Sequence, residues 1–158
     1  MSIVICALVV ALVISLLIIY KDRLKHHTKM SFKESLDLTD LPIVTFNIDN
    51  KKCNFLLDTG ASESVINKSC LENYPYQEVK GTGTLTGLDG IKRQTEYVRM
   101  SLTYKDHEYS EIFTVTDMDK VFNHIKTETG VTLNGIIGNS FMQKYRYIID
   151  FKELAAYR

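Results

Sequence analysis

The chain has 158 residues, enough for one domain and too few for a second sizeable core. Lys plus Arg and Asp plus Glu balance at 19 each, so net charge gives no case for nucleic acid as a partner. Two prolines, eight glycines and no repeat of solenoid period exclude a disordered, low-complexity or repeat chain.

Residues 3–19 form an apolar run in which Ser15 is the only clearly polar side chain. As a helix it would reach roughly 26 Å, the short end of a bilayer span. A cleaved secretion signal is the competing reading, but nothing basic precedes the run and no small-x-small cleavage site follows it. Instead Tyr20 is followed by Lys21, Asp22, Arg23, Lys25, His26, His27 and Lys29. The expectation is an uncleaved, single-pass transmembrane anchor over residues 1–20. With the positive flank on its C-terminal side, the soluble domain is expected on the cytoplasmic face. Residues 21–37 read as a polar juxtamembrane linker with some helix, and residues 38–158 as the folded domain.

Three cysteines make no framework. Cys6 lies in the apolar run, which leaves Cys53 and Cys70 as the only possible pair in the soluble part; free thiols in a reducing compartment are expected over that pairing. No Cys/His cluster has zinc spacing, and neither a metal nor a cofactor is expected.

From Leu41 to Asp49 apolar and polar residues alternate, the pattern of a half-buried strand. Asp49-Asn50-Lys51-Lys52 reads as a turn, and a second strand from Cys53 to Leu57 completes a hairpin that delivers Asp58 at its far end. Three apolar residues, Phe55-Leu56-Leu57, there run into Asp58-Thr59-Gly60-Ala61-Ser62. A carboxylate directly after a buried strand is costly unless its neighbours satisfy it. These residues alone leave two readings open: a hairpin turn, or a strand end presenting an acid to a cleft. Ser64-Val65-Ile66 is a short apolar run, and Asn67 is placed to cap a brief helix reaching residue 73.

Residues 81–90 are rich in glycine and threonine and lead into a long strand from Ile91 to Tyr104. With so few anchors, the turn Gly87, Leu88, Asp89, Gly90 is expected to be mobile, either as a plain exposed hairpin or as a lid. A strand from Glu108 to Thr116 and a helix from Met118 to Lys126, capped by Thr116 or Asp117, follow. Next comes Gly135-Ile136-Ile137-Gly138, a very short apolar strand between glycines that admits close backbone neighbours. Asn139 or Ser140 would cap a helix to Tyr145, before strands at residues 147–151 and 154–157. The domain is therefore mostly β.

Asp58-Thr59-Gly60-Ala61-Ser62, followed about 75 residues later by Gly135-Ile136-Ile137-Gly138-Asn139-Ser140-Phe141 and Ile149-Asp150-Phe151, resembles the retropepsin-like aspartic proteases. The resemblance spans about residues 41–157. It implies a closed, orthogonally packed β-barrel with one or two short helices, preceded here by the transmembrane helix. It also implies that Asp58 is catalytic and that Thr59, Gly60, Ala61 and Ser62 support its loop. Gly135, Ile136, Ile137 and Gly138 would run beside that loop, and Gly87, Leu88, Asp89 and Gly90 would be the flap. Such enzymes use two aspartates, yet the chain has one Asp-Thr-Gly and no Asp-Ser-Gly, so an active site would need a second copy. The viral relatives usually carry Arg, then Asn or Asp, where this chain has Asn139 and Ser140, which puts their dimer-bracing Arg–Asp contact in doubt.

Two functions follow. One is a membrane-tethered, homodimeric aspartic endopeptidase acting on extended peptides. The other is a non-catalytic retropepsin-like module for binding or dimerisation at the membrane, which predicts a monomer or widely separated Asp58 carboxyls.

Overall fold

Alternating burial builds the first hairpin. In the computed structural model, which describes residues 2–27, 29–86 and 92–158, β2 (Ile43–Ile48) and β3 (Lys51–Leu57) pair antiparallel from Ile48↔Lys51 to Ile43↔Leu56. Val44, Phe46 and Ile48 point inward from one strand, Cys53, Phe55 and Leu57 from the other. Asp49 and Asn50 link them at φ 50° and 60°, the two positive angles that suit a tight hairpin to strand twist.

Before this hairpin come α1 (Ser2–His27), β1 (Met30–Ser31) and α2 (Lys33–Thr39). After it come β4 (Ser64–Asn67), α3 (Lys68–Leu71), β5 (Gln77–Thr86), β6 (Lys92–Tyr104) and β7 (His107–Thr116). The chain ends with α4 (Asp119–Thr129), β8 (Gly135–Ile137), α5 (Asn139–Tyr145), β9 (Ile148–Asp150) and β10 (Ala155–Tyr157). Sheet neighbours run β2-β3-β8-β4-β7-β6, and a β2–β6 contact at Asn47↔Thr103 closes the six strands into a barrel. The closed, mostly β architecture expected from the sequence is thus present. Closure leaves no free edge on these strands.

β5 stands outside the ring, paired to β6 alone. The register slips between Val79 and Thr82, where Gly81 has φ +128°, an angle that residues with a Cβ rarely adopt. The resulting bulge re-aims this hairpin arm.

Aromatic rings fill the barrel. Phe46 is fully buried and meets Phe55, Tyr104, Tyr109 and Phe141 edge-on at 5.8–5.9 Å between centroids. Such offset contacts add about 0.5–1.5 kcal/mol each beyond simple burial.

Three expectations change. Met30 and Phe32, placed by sequence in the polar linker, are each 1% exposed and belong to the core, where β1 pairs with β10 at Met30↔Ala156. Four helices follow α1 among the described residues, more than the one or two short helices expected for the barrel. Of these, α3, α4 and α5 lie where the residues themselves suggested helix, and α2 falls in the segment read as partly helical linker. No helix among the described residues is long and apolar enough to cross a membrane. Within α1, residues 8–20 nevertheless expose Leu, Val, Ile and Tyr side chains throughout. The membrane reading of residues 3–19 remains one of sequence.

Candidate active site

Asp58 leaves the end of β3, half-buried, as the strand's last pairings are made. Leu57 N donates to Pro42 O at 2.9 Å and Asp58 N to Ile137 O at 3.0 Å, so β8 holds the backbone of the acid from one side. The Asp58 carboxylate accepts from Gly60 N through Oδ1 at 2.8 Å, and Ala61 N donates back to Asp58 O at 3.3 Å. Asp58 therefore sits in a tight turn whose own amide fixes one carboxylate oxygen. The turn reading is thus present in the geometry, with Asp58 half-buried at the strand end.

β8 is the scaffold of this loop. It runs parallel to β3 (Leu56↔Ile136, Leu57↔Ile137) and antiparallel to β4 (Val65↔Ile136). A Cβ on Gly135 would lie 2.3 Å from Val65 O, and one on Gly138 would lie 2.4 Å from Glu63 O. The glycines flanking Ile136 and Ile137 are thus demanded by backbone contact, as the flanked-strand pattern predicts.

Asn139 and Ser140 do not cap α5 with their side chains; Gly138 occupies the cap position. Asn139 Nδ2 instead donates to Thr59 O at 2.7 Å, and its backbone N–H to Ala61 O at 2.8 Å. Ser140 N donates to Ser62 O at 3.0 Å. One short helix start therefore clasps three carbonyls of the acid loop. Asn67 does hold the N-cap position of α3, as expected, but makes no side-chain capping bond: its side chain accepts from Met118 N and donates to Ser69 and Asp119. Asp117 does act at the start of α4, accepting from Asp119 N.

Of the residues singled out by sequence, Asp58, Thr59, Gly60, Ala61 and Ser62 are brought together with Gly135, Ile136, Ile137 and Gly138. Gly87, Leu88, Asp89 and Gly90 lie outside the described residues. The arms of that hairpin meet at Gly83, where an added Cβ would lie 1.9 Å from the Tyr97 hydroxyl.

Sequence reasoning missed Glu111 and Asn134. Asn134 pins the entry to β8, its Oδ1 accepting from Asn54 N at 2.8 Å and its carbonyl from Asn67 N at 2.8 Å. Glu111, 3% exposed, accepts from the Ser64 and Ser140 hydroxyls behind the acid loop. Its phase was legible, since Tyr109, Glu111 and Phe113 share the inward side of β7. A cavity of about 220 Å³ lined by Glu63, Tyr97, Glu111, Ile112, Ser140 and Lys144 adjoins this cluster. A larger one, about 330 Å³, lies by α2 and shares no lining residue with the acid loop. Among the described residues no cluster of three His, Cys, Asp or Glu side chains could hold a metal ion.

A family model described as "Retroviral aspartyl protease" matches residues 38–150. Among solved structures, the chain is similar to EIAV protease complexed with the inhibitor HBY-793. The two share 21% identity over 66% of this chain and 86% of that one, with a TM-score of 0.49.

Proposed function

The chain belongs to the retroviral aspartyl protease family, and from that premise we propose that it is a homodimeric aspartic endopeptidase tethered to a membrane through residues 3–19. The observation that carries the reading is the turn at Asp58, fixed by Gly60 N at 2.8 Å and clasped by α5 through Thr59 O and Ala61 O. A single such turn supplies one carboxylate. The second comes from Asp58 of another copy across a twofold axis.

Two carboxyls about 3 Å apart share one proton, as aspartic proteases do. The ionised member takes a proton from a bound water, and the protonated one polarises the peptide carbonyl. Attack gives a tetrahedral intermediate without an acyl-enzyme, so neither serine nor cysteine acts as nucleophile. By analogy with the family, Thr59, which is exposed, would bond across the twofold, and Gly60 would leave room for the substrate backbone. An extended peptide would lie beneath the hairpins that contain Gly87, Leu88, Asp89 and Gly90, held by strand-like hydrogen bonds. The altered Asn139–Ser140 pair, which favoured a non-catalytic module, supports the loop within one chain.

The assay is cleavage of a degenerate peptide library by the full chain in detergent micelles. Asp58→Asn should cost about 10²–10⁴-fold in rate. Equal cleavage by both proteins would refute catalysis at Asp58. For the tether, deletion of residues 1–20 should move the protein from the carbonate-resistant membrane fraction to the supernatant. Protease shaving of intact vesicles would then report whether the domain faces the cytoplasm, as the basic flank predicts.

A further inference from the structure

Glu111 is a carboxylate buried beside the acid loop for which the dyad mechanism has no use. Its Oε1 accepts from Ser64 Oγ and from Ser140 Oγ, both at 3.0 Å, while Lys144 Nζ approaches Oε2 at 3.5 Å. Each serine hydroxyl also accepts from a backbone amide: Gly138 N donates to Ser64 Oγ and Ser64 N to Ser140 Oγ, both at 3.2 Å. An ionised carboxylate accepts and cannot donate. Both hydroxyls donate to Glu111, which leaves their lone pairs for the two amides; the hydroxyls also lie 3.4 Å from each other, a longer contact in which either could donate. As the shared acceptor of the two shorter bonds, Glu111 orients both serines toward the backbone.

Those amides sit at strategic places. Ser64 begins β4, immediately after the acid turn, and Gly138 is the residue from which α5 reaches back to Ala61 O and Thr59 O. We propose that Glu111 is a positioning residue for Asp58: it orients Ser64 and Ser140 so that β4, Gly138 and the acid turn lock in one arrangement. The kinetic part of this inference rests on the endopeptidase reading; the structural part does not. A plain ion pair between Glu111 and half-exposed Lys144 is the competing account. It makes the two hydroxyls bystanders.

The test uses the full chain in micelles with Glu111→Gln, which keeps the shape but presents an amide, and Ser140→Ala, which leaves Glu111 and Lys144 intact. Both should lower kcat, Glu111→Gln by about ten- to hundredfold, because small displacements of a reacting group cost that much. KM should stay within about twofold, since the peptide backbone is held elsewhere. Backbone amide hydrogen exchange at Gly138, Ser64 and Gly60 should accelerate about tenfold in both variants, with Phe55 unchanged. The Gly60 amide reports directly, because it bonds the Asp58 carboxylate. Unchanged kcat in Glu111→Gln overturns the proposal. So does a loss there with Ser140→Ala silent, which would assign Glu111 to its ion pair. Should the parent chain cleave no peptide, the endopeptidase reading fails by itself and exchange decides the positioning role: unchanged protection at Gly60 overturns it.

Discussion

Gly138→Ala isolates what the close approach of α5 to the acid loop contributes. Gly138 has φ −96° and ψ −173°, ordinary extended backbone, so alanine meets no conformational obstacle. The obstacle is steric: its Cβ would lie 2.4 Å from Glu63 O, 2.6 Å from Glu63 C and 2.9 Å from Ala61 O, all backbone atoms. Reaching ordinary contact at about 3.4 Å requires a retreat of about 1 Å. Such a shift stretches Asn139 N–Ala61 O and Asn139 Nδ2–Thr59 O, now 2.8 and 2.7 Å, beyond useful hydrogen-bond length. Overpacking costs about 1–3 kcal/mol and two weakened bonds about 1 kcal/mol each, so a loss of about 3–5 kcal/mol is expected. The loop that moves carries Asp58, and kcat should fall about a hundredfold in the fraction that stays folded. Urea unfolding and peptide cleavage, measured on the same samples, check both numbers. Gly130→Ala is the control: Gly130 has φ +76° and nothing within 4 Å, so its cost is conformational, about 1 kcal/mol, and activity should hold. If Gly138→Ala costs no more than Gly130→Ala, or leaves kcat unchanged, the steric argument fails.

Phe46→Ala should destabilise the domain by about 3–5 kcal/mol in urea melts, because a fully buried ring with four ring neighbours leaves a large cavity. A chain begun at residue 38 should melt well below one begun at residue 29, since the shorter form lacks Met30 and Phe32 from the core. Burial pushes the Cys53 thiol up to about 12, against a smaller lowering by Tyr74. Alkylation at pH 8 should therefore reach Cys53 only on unfolding. Because the folded state favours the protonated thiol, this contribution to stability is present below about pH 9 and lost as pH rises towards 12. Asp119 is held below its usual range by Ser69 and then Asn67, and Asp150 by the Glu153 amide foremost. Their contribution is present above about pH 4 and lost in acid, so Asp119→Asn should flatten the acid limb of a melting-temperature profile.

Period and glycine placement made the barrel legible. The alternation of β2 and β3 predicted the hairpin within two residues at its start, and Gly135 and Gly138 marked the strand that needs backbone on both sides. What escaped had no periodic signal. Met30 and Phe32 are two apolar residues in a charged stretch, too short to show any alternation, and only β10 reveals their place. Asn139 was read as a helix cap because Asn suits that position locally. A long-range carbonyl at Thr59 outcompeted the local bond, and no rule of neighbouring residues contains that partner. Asn134 and Glu111 failed for the same reason: their partners lie 29 to 80 residues away.

These long-range bonds also bear on how one acid per chain relates to one fold per chain. β1 pairs with β10 and β10 with β9 inside a single copy, and the Asn139 clasp closes the acid loop inside that copy too. The viral pattern, by resemblance, braces its dimer with an Arg–Asp contact; here Asn139 turns the corresponding position inward, onto its own loop. The barrel is accordingly finished by one chain, with its six-strand ring closed at Asn47↔Thr103 and its aromatic core filled. Only the proposed dyad is left for a second chain to complete. A folded single copy should therefore persist on dilution, seen as unchanged circular dichroism, while cleavage falls, and a tether that confines copies to a plane would raise their effective concentration without any new contact. In that proposed arrangement the apolar run at residues 3–19 would have a role in the chemistry at Asp58: it would set how often two half-sites meet.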